Sequence, residues 1–187
     1  MRGVTGRGIN GRGLMGLAVL ALLAGCATAP VPQAGYRTAG TPIYSNAVFQ
    51  PERLAGRWLQ VADFAPEGAG ACAARGLTVT PGAAGQLTVD ADLCLGGETR
   101  RYAGLAEVSG PGRIRLAAAD PAGIGAEWWV LWVDADYRTL VVGTPSGSFG
   151  MILNRSGDLS PDRLTAAREV LEWNGYDLGR MRAVSPP

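Results

Sequence analysis

Histidine and lysine are both absent from the 187 residues, so all 17 basic side chains are arginines. Without them there is no Ser-His-Asp or Cys-His nucleophile, no His-ligated zinc, no Schiff-base lysine and no lysine-bearing phosphate loop. Charge is scarce as well, at 18% of the chain with a formal net of +1 and no basic run, which excludes a nucleic-acid-binding face. Only three cysteines are present, and the one long apolar run covers residues 14–23. No cofactor and no metal are expected, and the chain does not read as an enzyme. What is abundant is apolar content (47%), enough for a real core, together with 28 Gly and 12 Pro. That turn-rich balance points to β architecture.

The apolar run follows Arg2, Arg7 and Arg12 and ends in Leu23-Ala24-Gly25-Cys26. A positive stretch, a short apolar stretch and a small-residue cut site make a secretory signal, and about ten apolar residues are too few to span a bilayer, which takes ~20. The tetrapeptide resembles a bacterial lipobox, which implies cleavage before Cys26 and lipidation of its thiol. The remaining 14 Arg against 16 Asp and Glu leave a formal charge of −2, so attachment rests on acyl chains rather than on charge. Ala27 after the cysteine implies the outer membrane, periplasmic face. The expected division is a lipoprotein signal at 1–25, the lipidated Cys26 with a flexible tether at 26–50, and a folded domain at 51–187. The tether reading rests on a Pro-, Ala- and Gly-rich, aperiodic composition.

From Gly56 to Arg155 eight short alternating runs, each closed by Gly, Pro or Asp, predict eight antiparallel strands near 56–65, 73–80, 86–94, 98–108, 113–119, 126–134, 137–143 and 148–155. Cys72 and Cys94 are equidistant from Ala83, in the turn Pro81-Gly82-Ala83-Ala84-Gly85. A hairpin centred there pairs Leu77 with Val89 and Val79 with Leu87 on one face. It sets the two cysteines opposite each other on the outer, Thr78 and Thr88 face, within reach of a disulfide. A helix is predicted from Ser160 as N-cap and Pro161 to a stop at Gly175, its stripe Leu164, Ala167, Val170 and Leu171 lying on the sheet. A further edge strand is expected within 176–184.

Three local motifs then carry a family resemblance. Leu54-Ala55-Gly56-Arg57-Trp58 resembles the Gly-X-Trp opening of the first lipocalin strand. Asp134-Ala135-Asp136-Tyr137 before Leu140-Val141-Val142 resembles the second lipocalin motif, between strands six and seven. Ile152-Leu153-Asn154-Arg155 resembles the third, whose arginine packs over the first-motif tryptophan. With the lipobox, the chain resembles bacterial outer-membrane lipoprotein lipocalins over about residues 50–184. The resemblance implies an all-β fold: an eight-stranded antiparallel up-and-down barrel with one C-terminal α-helix and a short final strand. Gly56, Trp58, Asp134, Tyr137 and Arg155 become structural motif residues, and Arg155 over Trp58 is a cation–π contact.

Parity carried back from Arg155 places Phe149, Met151 and Leu153 on one face, with Phe149 opposite Val142 and Met151 opposite Leu140. Across the 134–137 turn, Leu140 then meets Leu131 and Val142 meets Trp129. Trp129, Leu131, Leu140, Val142, Phe149, Met151, Ile114 and Leu116 are therefore the expected ligand-facing residues, and Trp128 and Trp132 fall outside. A slip of one residue exchanges the two sets. Arg100 or Arg101 is placed to meet an anionic head group. The implied partner is a small hydrophobic ligand, such as a fatty acid or lysophospholipid, held by a membrane-anchored monomer or homodimer for envelope lipid maintenance. Two alternatives stay open: a filled structural barrel that binds a protein, and a lipocalin-like isomerase using Tyr102 as donor.

Overall fold

The computed structural model describes Gly3 and residues 35–121 and 123–185. The signal sequence and Cys26 lie outside the described residues. Eight strands run in chain order as β1 (Gly56–Phe64), β2 (Gly76–Pro81), β3 (Gln86–Leu95), β4 (Glu98–Gly110), β5 (Arg113–Leu116), β6 (Trp128–Val133), β7 (Thr139–Gly143) and β8 (Gly150–Asn154). Each pairs antiparallel with its neighbour, and β1 pairs with both β8 and β2, so the sheet closes into a barrel. Helix α1 (Pro161–Trp173) and a three-residue β9 (Met181–Ala183), bonded to the outer side of β1, follow.

Two large apolar clusters result, with a small third one around Cys94. The larger, inside the barrel, joins Trp58, Leu77, Val79, Leu87, Val89, Leu93, Ile114, Leu116, Trp128, Val130, Leu140, Val142, Phe149, Met151 and Leu153 with residues from the ends. The smaller sits between the wall and α1 and includes Phe64, Leu131, Val141, Ile152, Ala167, Leu171 and Tyr176. Ser160 does precede α1, but its hydroxyl accepts from Arg163 Nε at 3.0 Å rather than capping a backbone amide. Of the expected helix stripe, Leu164 is exposed, while Ala167 and Leu171 are fully buried. The expected edge strand shrinks to Met181–Ala183, because Tyr176 turns inward under α1.

The β2–β3 hairpin is centred one residue later than expected. Val79 faces Val89 and Leu77 faces Ala91, since the connection is the four residues 82–85, with Ala84 and Gly85 at positive φ. A shift of two in the pairing leaves every side chain on its expected face. Cys72 and Cys94 are bonded, but not as a cross-strand pair. β2 begins only at Gly76, where φ is +88° and a Cβ would lie 1.9 Å from the Trp58 carbonyl oxygen. Cys72 therefore reaches Cys94 from the preceding loop. Cys94 is on the outer face and is fully buried there, covered by Ala74 and Val184.

Residues 35–50, expected as part of a flexible tether, pack against the barrel. The Asn46 amide donates to the Val130 carbonyl at 2.7 Å, which fills the sheet gap left by the short β5. Tyr36 and Phe49 are buried in the two clusters.

Candidate functional site

One end of the barrel is sealed by the three motifs together. The Arg155 guanidinium lies 3.7 Å from the Trp58 ring centroid and donates to the carbonyls of Ala55 (2.8 Å), Arg53 (2.8 Å), Arg57 (3.1 Å) and Tyr137 (3.3 Å). Gly56, at φ +93°, leaves room for that guanidinium, whose Nη1 would stand 3.3 Å from a Cβ. Trp58 Nε1 donates to Leu54 O at 2.8 Å. Asp134 accepts from the amides of Arg138 and Thr139, both at 2.6 Å, and from Arg138 Nε at 2.9 Å. Burial opposes its ionisation, but the Thr139 amide and the Arg138 guanidinium and amide outweigh it and hold its carboxyl below the usual range. Tyr137 stacks on Phe49 and accepts from the Gln50 amide at 2.7 Å, drawing the segment before β1 over this end.

Above that floor the inner face is apolar. Ile114, Leu116, Leu140, Val142, Phe149 and Met151 pack in the interior as expected for their faces. Trp129 and Leu131 do not, and their expected inward placement is corrected. The β6–β7 register is Val130 to Val142, then Trp132 to Val141 and Val133 to Leu140, with a bulge at Leu131. A bulge adds one residue to one strand and so reverses its faces. Trp128, Val130 and Val133 are the inward residues of β6, whereas Trp129, Leu131 and Trp132 pack in the cluster beneath α1. The β7–β8 register also moves, Val142 facing Met151 instead of Phe149, but by two residues, so the faces stay.

The opposite end is the mouth. Residues 117–127, between β5 and β6, send Ile124 and Ala126 into the interior cluster, and Trp128 meets Phe149 edge-on at 6.3 Å. Tyr102 and Ala118 are half-buried members of the cluster on this side, whereas Val108 and Val133 are half-buried toward the sealed end. The Tyr102 hydroxyl donates to the Leu105 carbonyl and accepts from the Ala117 amide at 3.1 Å, tying the start of that loop to β4. Arg100 shares the inner face with its partner Leu93 and is paired with Glu98 at 2.8 Å. Arg101 lies on the outer face against Asp92, which removes it as a ligand group.

One inward polar group escapes the sequence pattern. A bulge at Val61 turns Asp63 to the inner face opposite Met151, where it is 3% exposed and accepts from the Gly97 amide at 3.2 Å. Burial pushes its carboxyl above the usual range, against the pull of the Gly97 amide and of Arg182. In the run Val61-Ala62-Asp63-Phe64, a charged residue among apolar ones was the available signal. Two open polar grooves lie outside the barrel, one of about 770 Å³ along Arg57, Thr78, Asp90 and Arg101, the other of about 520 Å³ along Ala73, Arg75, Asp92 and Thr99.

A closed antiparallel barrel of eight strands, sealed at one end by an arginine over a tryptophan and with a mainly apolar interior that holds a few polar groups such as Gln60 and Asp63, is an up-and-down β-barrel. Residues 49–186 match the family model of the lipocalin-like domain, and the chain belongs to that family. A 58-residue stretch is 29% identical to temperature-induced lipocalin-1 of Arabidopsis thaliana, and the chain spans 31% of that relative's length. Among solved structures it is similar in fold to apocrustacyanin C2 (17% identity, 73% of this chain and 79% of that one, TM-score 0.52). It is likewise similar to lobster apocrustacyanin A1 (16%, 72% and 78%, TM-score 0.50). Lipocalins typically bind small hydrophobic ligands and are generally not enzymes.

Proposed function

We propose that this lipocalin is anchored to the outer membrane through Cys26, on its periplasmic face, and carries a fatty acid, lysophospholipid or similar amphiphile in the barrel for envelope lipid maintenance. The observation that carries the ligand reading is the inner face itself. Side chains from all eight strands meet there as one apolar cluster, with Asp63 and the Glu98–Arg100 pair as its polar positions toward the mouth. Such a lining suits an acyl chain with a polar end, because the chain is held by burial and the end by a few placed groups.

The place for the ligand lies at the mouth, between the half-buried Tyr102 and Ala118 and the inserted Ile124 and Ala126. An acyl chain takes over the contacts of those two loop side chains, so binding moves residues 117–127 outward. Titration of the full chain with a fluorescent fatty acid, followed by displacement with unlabelled lipid, tests this. Saturable binding lost in Met151→Trp supports it; no uptake by either protein contradicts it.

The second reading is a filled barrel that presents its surface to a protein partner. It is favoured by the burial of the interior, where Trp58, Leu93, Met151 and Leu153 are all 0% exposed.

A further inference from the structure

The most exposed tryptophan among the described residues is Trp173, at the last turn of α1, and it does not stand alone. Tyr44 stacks on it with ring centroids 5.3 Å apart and planes at 26°, and the two are 55% and 69% exposed. The pair is held rather than loose. Asn174, 1% exposed, accepts from the Tyr44 amide at 3.0 Å through Oδ1 and donates to the Val170 carbonyl at 2.8 Å. Val48, 83% exposed, follows on the same segment. Scattered apolar side chains are ordinary on a protein surface, but two rings fixed side by side in water form a small patch.

The path of the upstream chain says what covers it. Arg37 donates to the Asn174 carbonyl at 2.7 Å, to Pro145 O at 2.6 Å and to Thr41 O at 2.8 Å, and the Tyr36 amide donates to Gly147 O at 2.6 Å. The chain therefore joins the barrel beside the end of α1 and the 144–149 loop, at the mouth. From Cys26 to Gly35 is nine residue steps, at most about 30 Å fully extended. A domain of this size has a radius of gyration of about 15 Å, so so short a lead cannot bring the far side to the bilayer.

We propose that the Tyr44–Trp173 pair seats in the headgroup region of the bilayer that holds the Cys26 lipid, turning the mouth of the barrel toward the membrane. This rests on the anchored reading above. Tryptophan and tyrosine suit that layer, with a flat apolar body and a polar edge. The charges on the neighbouring elements are mixed, Arg37 and Arg168 against Glu169 and Glu172, so the contact is aromatic rather than electrostatic and is insensitive to salt.

The test uses the full chain, purified with its lipid and reconstituted in phosphatidylcholine vesicles carrying bromine at shallow or deep acyl positions. Trp58 and Trp128 are buried and Trp129 and Trp132 lie partly covered beneath α1, so contact quenching reports Trp173. The expected result is quenching stronger with shallow than with deep bromine, unchanged in 0.5 M salt (roughly a 4 Å screening length), and at least several-fold weaker in Trp173→Phe. Tyr44→Ser, which unstacks the pair and leaves the fluorophore, also weakens it. Equal quenching in wild type and Trp173→Phe overturns the docking while the vesicle-bound, lipidated chain leaves the anchor standing. An unmodified Cys26 and a chain that does not float with vesicles overturn the anchor, and the docking with it. A concentration-dependent dimer abolished by Trp173→Phe, with quenching unchanged, assigns the patch to a second copy and overturns the proposal.

Discussion

The Gln60 side chain stands in for a missing stretch of strand beside Cys94: Nε2 donates to the Cys94 carbonyl at 2.7 Å and Oε1 accepts from the Cys94 amide at 2.7 Å. β2 pairs with β3 only as far as Gly76 opposite Asp92, so beyond that point β3 has no strand on this side. β1 is the next element around the barrel, and the carboxamide spans the gap. Both groups are buried, Gln60 at 4% and Cys94 at 0% exposure. Gln60→Leu keeps the volume and leaves a buried donor and a buried acceptor unpaired. The expected loss is at least ~2 kcal/mol in urea unfolding with an unchanged slope; a loss below ~0.5 kcal/mol contradicts the role.

The disulfide holds the same corner. Cys72 is in the loop before β2, and Cys94 is covered by Ala74 and Val184. Closing a loop of 22 residues contributes ~3 kcal/mol through the unfolded chain. Cys72→Ser with Cys94→Ala is expected to lower Tm by about 10 °C without loss of the barrel, as read by circular dichroism.

Asp63 gives the molecule an acid-side signature. Its folded carboxyl binds a proton more tightly than the unfolded one, first because it is buried. Between the unfolded value, about 3.9, and the raised folded one, the native state holds more protons, so this group's contribution to stability falls as pH rises. Asp63→Asn retains an acceptor for the Gly97 amide and is expected to be more stable than wild type at pH 7. The gap narrows as pH falls through the raised range of the folded carboxyl and closes below the unfolded value, about 3.9. A gap in Tm that stays constant with pH contradicts the account. Asp134, with its carboxyl held below the usual range, acts in the opposite sense and is common to both proteins.

The two faces of the wall make contrasting variants. Met151 is inward and Leu131 outward beneath α1. Met151→Trp is expected to block ligand uptake, while Leu131→Trp leaves uptake intact and loosens α1, costing ~1–3 kcal/mol by overpacking. Equal loss of uptake in both contradicts the assignment of faces.

How far the chain can be read without coordinates follows from the period of two in a strand. The strands from Gly56 to Asn154 and the helix at Pro161 were legible, since turn residues and caps mark their ends. The β2–β3 and β7–β8 registers were misplaced by two residues, which moves partners without changing faces. The β6–β7 register was misplaced by a bulge, and there the site changed. In Trp128-Trp129-Val130-Leu131-Trp132-Val133 every residue is apolar because one face fills the barrel and the other packs under the helix segment. Alternation carries no signal in such a run. Asp63 is hidden by the bulge at Val61, which turns it off the outer face that alternation from Trp58 assigns it, and residues 35–50 read as a tether because loops that pack share the composition of loops that do not.

The central claim, that the barrel carries an amphiphile, is tested most directly by native mass spectrometry of the full chain released from membranes in mild detergent, followed by organic extraction. The account expects a bound lipid of defined mass, at one per barrel, that is absent from Met151→Trp prepared alongside. A wild-type protein without adduct that also takes up neither fatty acid nor lysophospholipid when offered contradicts it.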